Sequence, residues 1–228
     1  MLNQASGIRD LALHKRISLN RPLTSYDRVR RFFGGCVRNN PIQFRWIERS
    51  GYLNAGCGPN IAPDFMNLDY YWRPGILCWD VTQALPFEDS SLKGIYCEHC
   101  LEHLTYEDAA KTLREFRRVL IPDGLLRLVV PDVELYIDLY LRDRRGEKVV
   151  LPYEEELEIK TPLFALNRIM RAHEHLYAYD FEAMRHLIEQ AGFDSVSRTT
   201  FGSGSDPVLL IDTPERACES LYVEALAL

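Results

Sequence analysis

Two segments carry groups suited to holding a nucleotide-like cofactor. The run Asn54-Ala55-Gly56-Cys57-Gly58 follows apolar residues and places two glycines in a predicted turn. Glycine tolerates positive φ and lets the backbone approach a ligand closely. Asp69 follows Gly58 by eleven residues and ends the next apolar run, where a carboxylate can accept both hydroxyls of a ribose. The alternative is a strand-end Asp that only caps a turn, and the distance from the glycine turn favours the ribose role.

Histidines are concentrated in two places where they could move a proton or bind a metal. The run His99-Cys100-Leu101-Glu102-His103 fits a zinc metalloprotease pattern, and Cys97 with Cys100 fits the spacing of a redox pair. Neither alternative is favoured, because the run directly follows an apolar strand and lacks the long helix or the thioredoxin-like unit that each requires. We predict no bound metal.

The second concentration is His173-Glu174-His175. On an extended segment, residues two apart point the same way. These histidines are predicted either to act as a base, a substrate contact or metal ligands together with His99 or His103, or to be polar residues of a lid. The residues alone leave both open.

Strands and helices alternate after residue 50, which predicts a parallel sheet with helices on its faces. The first helix is predicted to begin after Leu23-Thr24-Ser25-Tyr26-Asp27 and to break at Gly34-Gly35. Asp132 is predicted as a helix cap or a substrate contact. Predicted strands are 52–55, 65–68, 76–78, 94–97, 125–130, 196–200 and 220–225, and predicted helices are 106–120, 132–141 and 180–190.

Charge divides the chain into an arm and a body. Residues 1–49 form the predicted basic helical arm; within residues 1–50, ten Lys or Arg oppose three acids, while the whole chain has a net charge of −6. The arm is predicted to lie on the acidic body or to meet an anionic partner. Residues 50–228 form the predicted main domain, with a lid-like insertion around 142–178.

The composition argues against several classes of protein. The overall acidic charge argues against a dedicated nucleic-acid binder. No apolar run is long enough to span a bilayer, and the N-terminus lacks the pattern of a signal peptide. The six cysteines are predicted to be free thiols. We therefore expect a soluble cytoplasmic protein without a membrane span, and a homodimer is one of the oligomeric states left open.

Five motifs in order resemble the class I S-adenosylmethionine (SAM) dependent methyltransferases, in particular the type 11 group. They are the glycine turn, Asn67-Leu68-Asp69, Asp80 with Leu85-Pro86-Phe87, the segment 96–104, and Arg118-Val119-Leu120-Ile121-Pro122-Asp123-Gly124. The resemblance covers about residues 51–132, and 202–225 resembles the group's final strands. Asp123 departs from the group's Gly-Gly, which a turn tolerates. The resemblance implies a Rossmann-like, doubly wound α/β fold with seven strands in the order 3-2-1-4-5-7-6, the last one antiparallel.

The same resemblance implies the roles of individual residues. The backbone at 55–58 would surround the methionine part of SAM, Asp69 would bind the ribose, and Asp80 would accept from the adenine amino group. Together the implied cofactor contacts are Asn54, Ala55, Gly56, Cys57, Gly58, Asp69, Tyr70, Asp80, Val81, Cys97 and Glu98. The predicted catalytic bases are His99, His103 and His175, because the pKa of histidine lies near working pH.

The leading hypothesis is a SAM-dependent methyltransferase that modifies an O, N or C atom of a small molecule or glycan. The alternatives are a SAM-binding relative without activity and a metal-dependent hydrolase that uses His99 and His103. The motifs do not name the acceptor.

Overall fold

A computed structural model describes residues 25–45 and 47–228. Its seven strands form one sheet in the order β3-β2-β1-β4-β5-β7-β6, in which β7 runs antiparallel to both of its neighbours. This confirms the predicted fold class. The strands are β1 (Tyr52–Ala55), β2 (Met66–Asp69), β3 (Leu77–Cys78), β4 (Leu92–Glu98), β5 (Leu120–Pro131), β6 (Phe193–Thr199) and β7 (Ser220–Ala227).

The longer helices among the described residues are α1 (Ser25–Val37), α2 (Tyr106–Val119), α3 (Val133–Arg144), α4 (Pro162–Arg171) and α5 (Phe181–Gln190). The predicted break at Gly34-Gly35 is wrong, because α1 continues to Val37. Glycine weakens a helix without forbidding it, and Gly34 is buried close to the backbone and Cβ of Trp72. Leu23 and Thr24 of the predicted start lie outside the described residues, as does the rest of the arm up to residue 24.

Helix α2 shows how the sequence pattern builds the core. Thr105 caps it by accepting a hydrogen bond from the backbone of Asp108. Its apolar residues Ala109, Leu113 and Phe116 recur every three or four positions and are fully buried against the sheet. The helix was predicted to include Leu120, which instead begins β5.

The segment 142–178 contains a helix that the sequence analysis missed. Helix α4 begins at Pro162 after Thr161, whose side chain accepts a hydrogen bond from the backbone of Phe164. Helices α3 and α4 share a small apolar core separate from the one under the sheet. Its buried members are Tyr136, Leu139, Leu151, Leu157, Ala165 and Ile169.

A buried arginine joins the central strand β5 to β7 and to the loop before β7. Arg127 has no exposed surface and donates two hydrogen bonds to Asp212, at 2.8 and 2.6 Å, and one to Glu224 at 2.8 Å. Burial alone would lower the pKa of Arg127, but the two carboxylates outweigh it and raise the pKa. The charge is therefore kept inside the fold by its partners.

We predict that Arg127→Met lowers the free energy of unfolding by about 3–5 kcal/mol, because it leaves two buried carboxylates without a cation. Urea denaturation measures this. Arg185→Met is the matched control, since Arg185 pairs with Glu182 on an exposed helix face, and it should cost no more than about 1 kcal/mol. Equal losses in the two variants would contradict the role given to Arg127.

Candidate active site

The carboxyl ends of β1, β2 and β4 open on a single cavity of about 600 Å³. Ligands bind in this position in open α/β sheets. Its walls include all of the predicted cofactor residues except Ala55 and Cys97, and two of the predicted catalytic histidines, His99 and His103. We call the side lined by Gly56, Gly58 and Asp69 the cofactor end, and the side lined by His99 and His103 the acceptor end.

The glycine turn at the cofactor end depends on having no side chain at Gly56. Gly56 and Gly58 have φ values of +70° and +52°, and the amides of Gly56 and Cys57 both donate to the carbonyl of Leu68. A Cβ on Gly56 would lie 2.6 Å from Sγ of Cys100, whereas one on Gly58 would meet no atom within 4 Å. The turn is therefore packed on one side and open on the other, toward the cavity.

Asp69 closes β2 directly beside this turn. One carboxylate oxygen accepts from the amide of Gly58 at 2.8 Å, and the other accepts from the amide of Tyr71 at 2.8 Å. The two amides hold the carboxylate in place at the cavity wall. Because a carboxylate offers about four acceptor positions, Asp69 retains acceptor capacity for a ligand.

The side chain of Asn54 serves the protein itself. It donates to the carbonyl of Asn60 at 2.9 Å and to the side chain of Asn67 at 3.0 Å. Asn67 in turn bonds the backbone of Ala62 and Phe65. These buried side-chain amides fix the conformation of the loop after the glycine turn. Asn54 therefore stabilises the cofactor end through its side chain.

The predicted adenine residues lie where β3 ends. Asp80 accepts from the amide and hydroxyl of Thr82 with one oxygen, and both Asp80 and Val81 line the cavity. The amide of Asp80 donates to the side chain of Asn39, at 2.8 Å. Sequence analysis assigned Asn39 to the basic arm and missed this contact, because nothing in its neighbourhood marks it.

Tyr70 forms an exposed part of the cavity wall. The guanidinium of Arg38 lies over its ring, 3.7 Å from the centroid, and also donates to its carbonyl at 3.1 Å. The segment just after α1 therefore supports the cofactor end in two places, at Tyr70 and at Asp80.

The end of β4 separates a buried thiol, Cys97, from a carboxylate at the cavity wall, Glu98. Cys97 is fully buried, and its hydrogen bond with Cys100 together with burial raises its pKa. Ala55 is likewise buried. Burial also raises the pKa of Cys57, to about 12. Glu98 faces the cavity and accepts from the amide and hydroxyl of Thr213, at 3.0 and 2.5 Å.

His99 bends the chain away from the sheet. It has a φ of +46°, which is strained for a residue with a side chain. Its Nε2 lies 2.9 Å from the hydroxyl of Ser220, and its Nδ1 lies 3.4 Å from Oε1 of Glu102. Burial and the nearby charge of Arg216 lower the pKa of His99 to about 2, so its ring is neutral at neutral pH.

Glu102, His99, His103 and His175 form one group, which we call the His/Glu cluster. Nε2 of His103 lies 3.9 Å and Nε2 of His175 lies 4.0 Å from Oε1 of Glu102. Burial raises the pKa of Glu102 to about 8 and lowers the pKa of His103 to about 4. Burial also lowers the pKa of His175.

The lid-like insertion returns to the cluster at its far end. The amides of Leu176 and Tyr177 donate to the carbonyl of Glu102, at 2.7 and 3.2 Å. Before them, His173 and Glu174 adopt positive φ, of 57° and 65°, in place of the predicted extended segment. The two predicted histidine groups are thereby brought together, with the rings of His103 and His175 4.9 Å apart.

The two alternative motifs do not take the geometry that their chemistry requires. The metalloprotease pattern needs a long helix, but Leu101–His103 is a single 3-10 turn. Cys97 lies in β4 rather than at the start of a helix, and all six cysteines, which belong to the described residues, are free thiols.

Asp132 caps α3 and pairs with Arg198 at 2.5 Å, and it is absent from the cavity wall.

The cavity also contains residues that sequence analysis missed. Arg216 lines the acceptor end and comes from the loop before β7. Tyr96 is buried beneath the cavity, and burial raises its pKa. No sequence pattern marked Arg216, because its loop has no regular spacing to the other site residues.

The sheet has the strand order of the class I SAM-dependent methyltransferases, with the glycine turn after β1, an acid at the end of β2 and a second acid after β3. Residues 52–128, about a third of the chain, match the model of the family described as "Methyltransferase domain". The matched segment contains the glycine turn, Asp69 and Asp80, and methyltransferases of the matched family use SAM as the methyl donor. No curated protein gives a significant match.

Several solved structures are similar to this chain at low sequence identity. A SAM-dependent methyltransferase from Archaeoglobus fulgidus is 13% identical, with a TM-score of 0.47 over 86% of this chain and 94% of that one. A SAM-dependent methyltransferase from Thermotoga maritima is 16% identical, with a TM-score of 0.46 over 79% and 84%. PigF, solved with S-adenosylhomocysteine (SAH), is 13% identical, with a TM-score of 0.45 over 78% and 56%.

Within the described ranges, the helices are all too short or too polar to cross a bilayer.

We predict that Gly56→Ala destabilises the fold more than Gly146→Ala and also weakens SAM binding. Both glycines have positive φ, at a cost of about 1–2 kcal/mol for alanine, but only the Cβ at Gly56 meets another residue. Urea denaturation and calorimetric titration with SAM measure the two effects. Equal stability losses, with SAM affinity unchanged in both variants, would show that the turn is not packed as described.

Proposed function

We propose that this enzyme transfers the methyl group of SAM to an O, N or C atom of a small molecule or glycan. The observation that carries the proposal is that one cavity is lined both by the glycine turn and by His99 and His103 of the His/Glu cluster. A donor held at one end and an acceptor at the other would meet within this cavity.

The residues at the cofactor end fit SAM. The open face of Gly58 leaves room for close approach to the backbone. Asp69 is held in place by two backbone amides. The amide and the hydroxyl of Thr82 both donate to the same carboxylate oxygen of Asp80, Oδ1. These carboxylates would hold the ribose and the adenine amino group, and the backbone at 55–58 would surround the methionine part. Tyr70 and Val81 would flank the nucleoside, with Cys97 and Glu98 near the methyl group.

SAM supplies a methyl group on a sulfonium that is already activated for displacement. A lone pair of the acceptor bonds to the methyl carbon while the electron pair of the breaking carbon–sulfur bond returns to sulfur, and SAH leaves. The protein must align the acceptor, exclude water and, for a hydroxyl or amine, accept its proton. We assign the proton-accepting end to the His/Glu cluster, which includes the predicted bases His99, His103 and His175.

The size of the cavity supports a small acceptor. About 600 Å³ lies within the range of roughly 300–1,000 Å³ typical of small-molecule sites, and SAM would occupy part of it. The polar lining of the acceptor end suits a hydroxylated acceptor such as a glycan. A cytoplasmic location fits the six free thiols. We retain the division into an arm at 1–49 and a domain at 50–228 with an insertion around 142–178.

We predict that Asp69→Asn weakens SAM binding by about 1–3 kcal/mol, because a charged acceptor loses its charge while its shape is kept. Calorimetric titration with SAM and with SAH measures the change. Asp64→Asn is the matched control, since Asp64 is exposed and lies outside the cavity wall. Unchanged affinity in Asp69→Asn would mean that the ribose is held elsewhere.

We also predict that label from methyl-labelled SAM appears in small molecules when the enzyme is incubated with a cell extract. A cavity of about 600 Å³ has room for a small acceptor beside SAM. Passing the extract through a membrane that retains proteins and nucleic acids, before and after the reaction, separates the acceptor classes. Label found only in the retained fraction would contradict a small-molecule acceptor, and Asp69→Asn is the low-transfer control.

A further inference from the structure

Glu102 is a buried acid without a hydrogen-bond partner. It is 1% exposed, and neither of its carboxylate oxygens accepts a hydrogen bond. A buried carboxylate is costly unless a cation or a proton compensates it. No lysine or arginine forms an ion pair with it among the described residues; its neighbours within ion-pair distance are the rings of His99, His103 and His175.

His175 points a lone pair at this carboxylate. Its Nδ1 lies 2.6 Å from the carbonyl oxygen of Ile169. Since a carbonyl can only accept, Nδ1 carries the proton, and in the neutral ring Nε2 carries the lone pair. Nε2 is the atom that faces Oε1 of Glu102. A second-shell bond from the far ring nitrogen to a carbonyl is the usual device that orients a metal-binding histidine.

Ligand atoms of Glu102, His103 and His175 all lie within 4.8 Å of one another. Around one ion at about 2.0–2.2 Å from each ligand, such atoms stand roughly 3–4 Å apart. The distances of 3.9 and 4.0 Å from Glu102 to the two rings are at the upper end of that spacing. Small side-chain rotations would therefore bring the three groups onto one ion.

We propose that Glu102, His103 and His175 bind a divalent transition-metal ion such as Zn²⁺ at the acceptor end of the cavity. Two imidazoles and a carboxylate are a ligand set that zinc uses in catalytic sites, where a further position stays open. Magnesium and calcium prefer sites made of oxygen ligands alone. The proposal departs from our expectation from sequence that no metal is bound.

The site also narrows the acceptor class, a step that rests on the proposed function. His103 lines the cavity and its side chain is 39% exposed, so the open side of the ion faces the acceptor end. An acceptor hydroxyl or carboxylate oxygen would complete the coordination there. A metal ion at this position would make the proton of a bound hydroxyl easier to remove.

The test measures metal binding by itself. Protein stripped with a chelator is titrated with Zn²⁺ by calorimetry, and with Co²⁺ by visible absorption. The wild type should bind stoichiometrically and give bands from nitrogen and oxygen ligands. Glu102→Gln and His175→Asn should each weaken Zn²⁺ binding by about 10–100-fold or more. His186→Asn is the control and should bind like the wild type, because His186 is exposed on α5, away from the cluster.

Three results would overturn the proposal: no Zn²⁺ binding by the wild type, equal weakening in the His186 control, or a Co²⁺ spectrum of thiolate ligands. The Co²⁺ spectrum of the wild type decides the ligand set even if a variant fails to fold. A parallel SAM titration separates the two proposals, since SAM binding without Zn²⁺ binding removes the metal site and leaves the proposed function intact.

Discussion

The buried guanidinium of Arg127 is the interaction on which the arrangement of the cavity depends. Through Asp212 it fixes the loop between β6 and β7. The next residue, Thr213, bonds Glu98 at the end of β4 and the side chain of Asn60 after the glycine turn. One chain of hydrogen bonds thus runs from the antiparallel edge of the sheet to its centre and sets the distance between the walls of the cavity.

Strain at the end of β4 determines what the acceptor end contains. The positive φ of His99 turns the chain sharply after the strand, so that Glu102 is carried inward, beneath the cavity. A strained residue and a buried unpaired acid are both costly, and such costs persist where function requires them. The apolar core between α3 and α4 offsets part of the conformational entropy that the insertion loses on folding. At its end, the amide of Leu176 donates to the carbonyl of Glu102 and so holds the insertion against the cluster.

The sequence was sufficient for the sheet and for bringing most of the predicted cofactor residues to one cavity, because both depend on local signals. Apolar runs predicted the strands to within a few residues, and the intervals from the glycine turn to Asp69 and Asp80 reflect neighbouring strands of a parallel sheet. The residues at which strands begin were less predictable. The spacing of apolar residues placed Leu120 at the end of α2, but Leu120 begins β5 because it pairs with Leu92 of β4.

The acceptor end could not be predicted in the same way, because it depends on contacts between distant segments. His175 reaches Glu102 only after the insertion has folded back, and Arg216 arrives on an irregular loop. Glu102 was visible in the His-x-x-Glu-His pattern, but its burial was not. Helix α4 was missed because charged residues and prolines around it obscure its short apolar face.

A crystal structure with SAH bound tests the central claim most directly. The account predicts the ribose hydroxyls on the carboxylate of Asp69, the adenine beside Asp80, and the sulfur directed along the cavity toward Glu98 and His103. Nucleoside density at the His/Glu cluster, or a ribose without contact to Asp69, would contradict it.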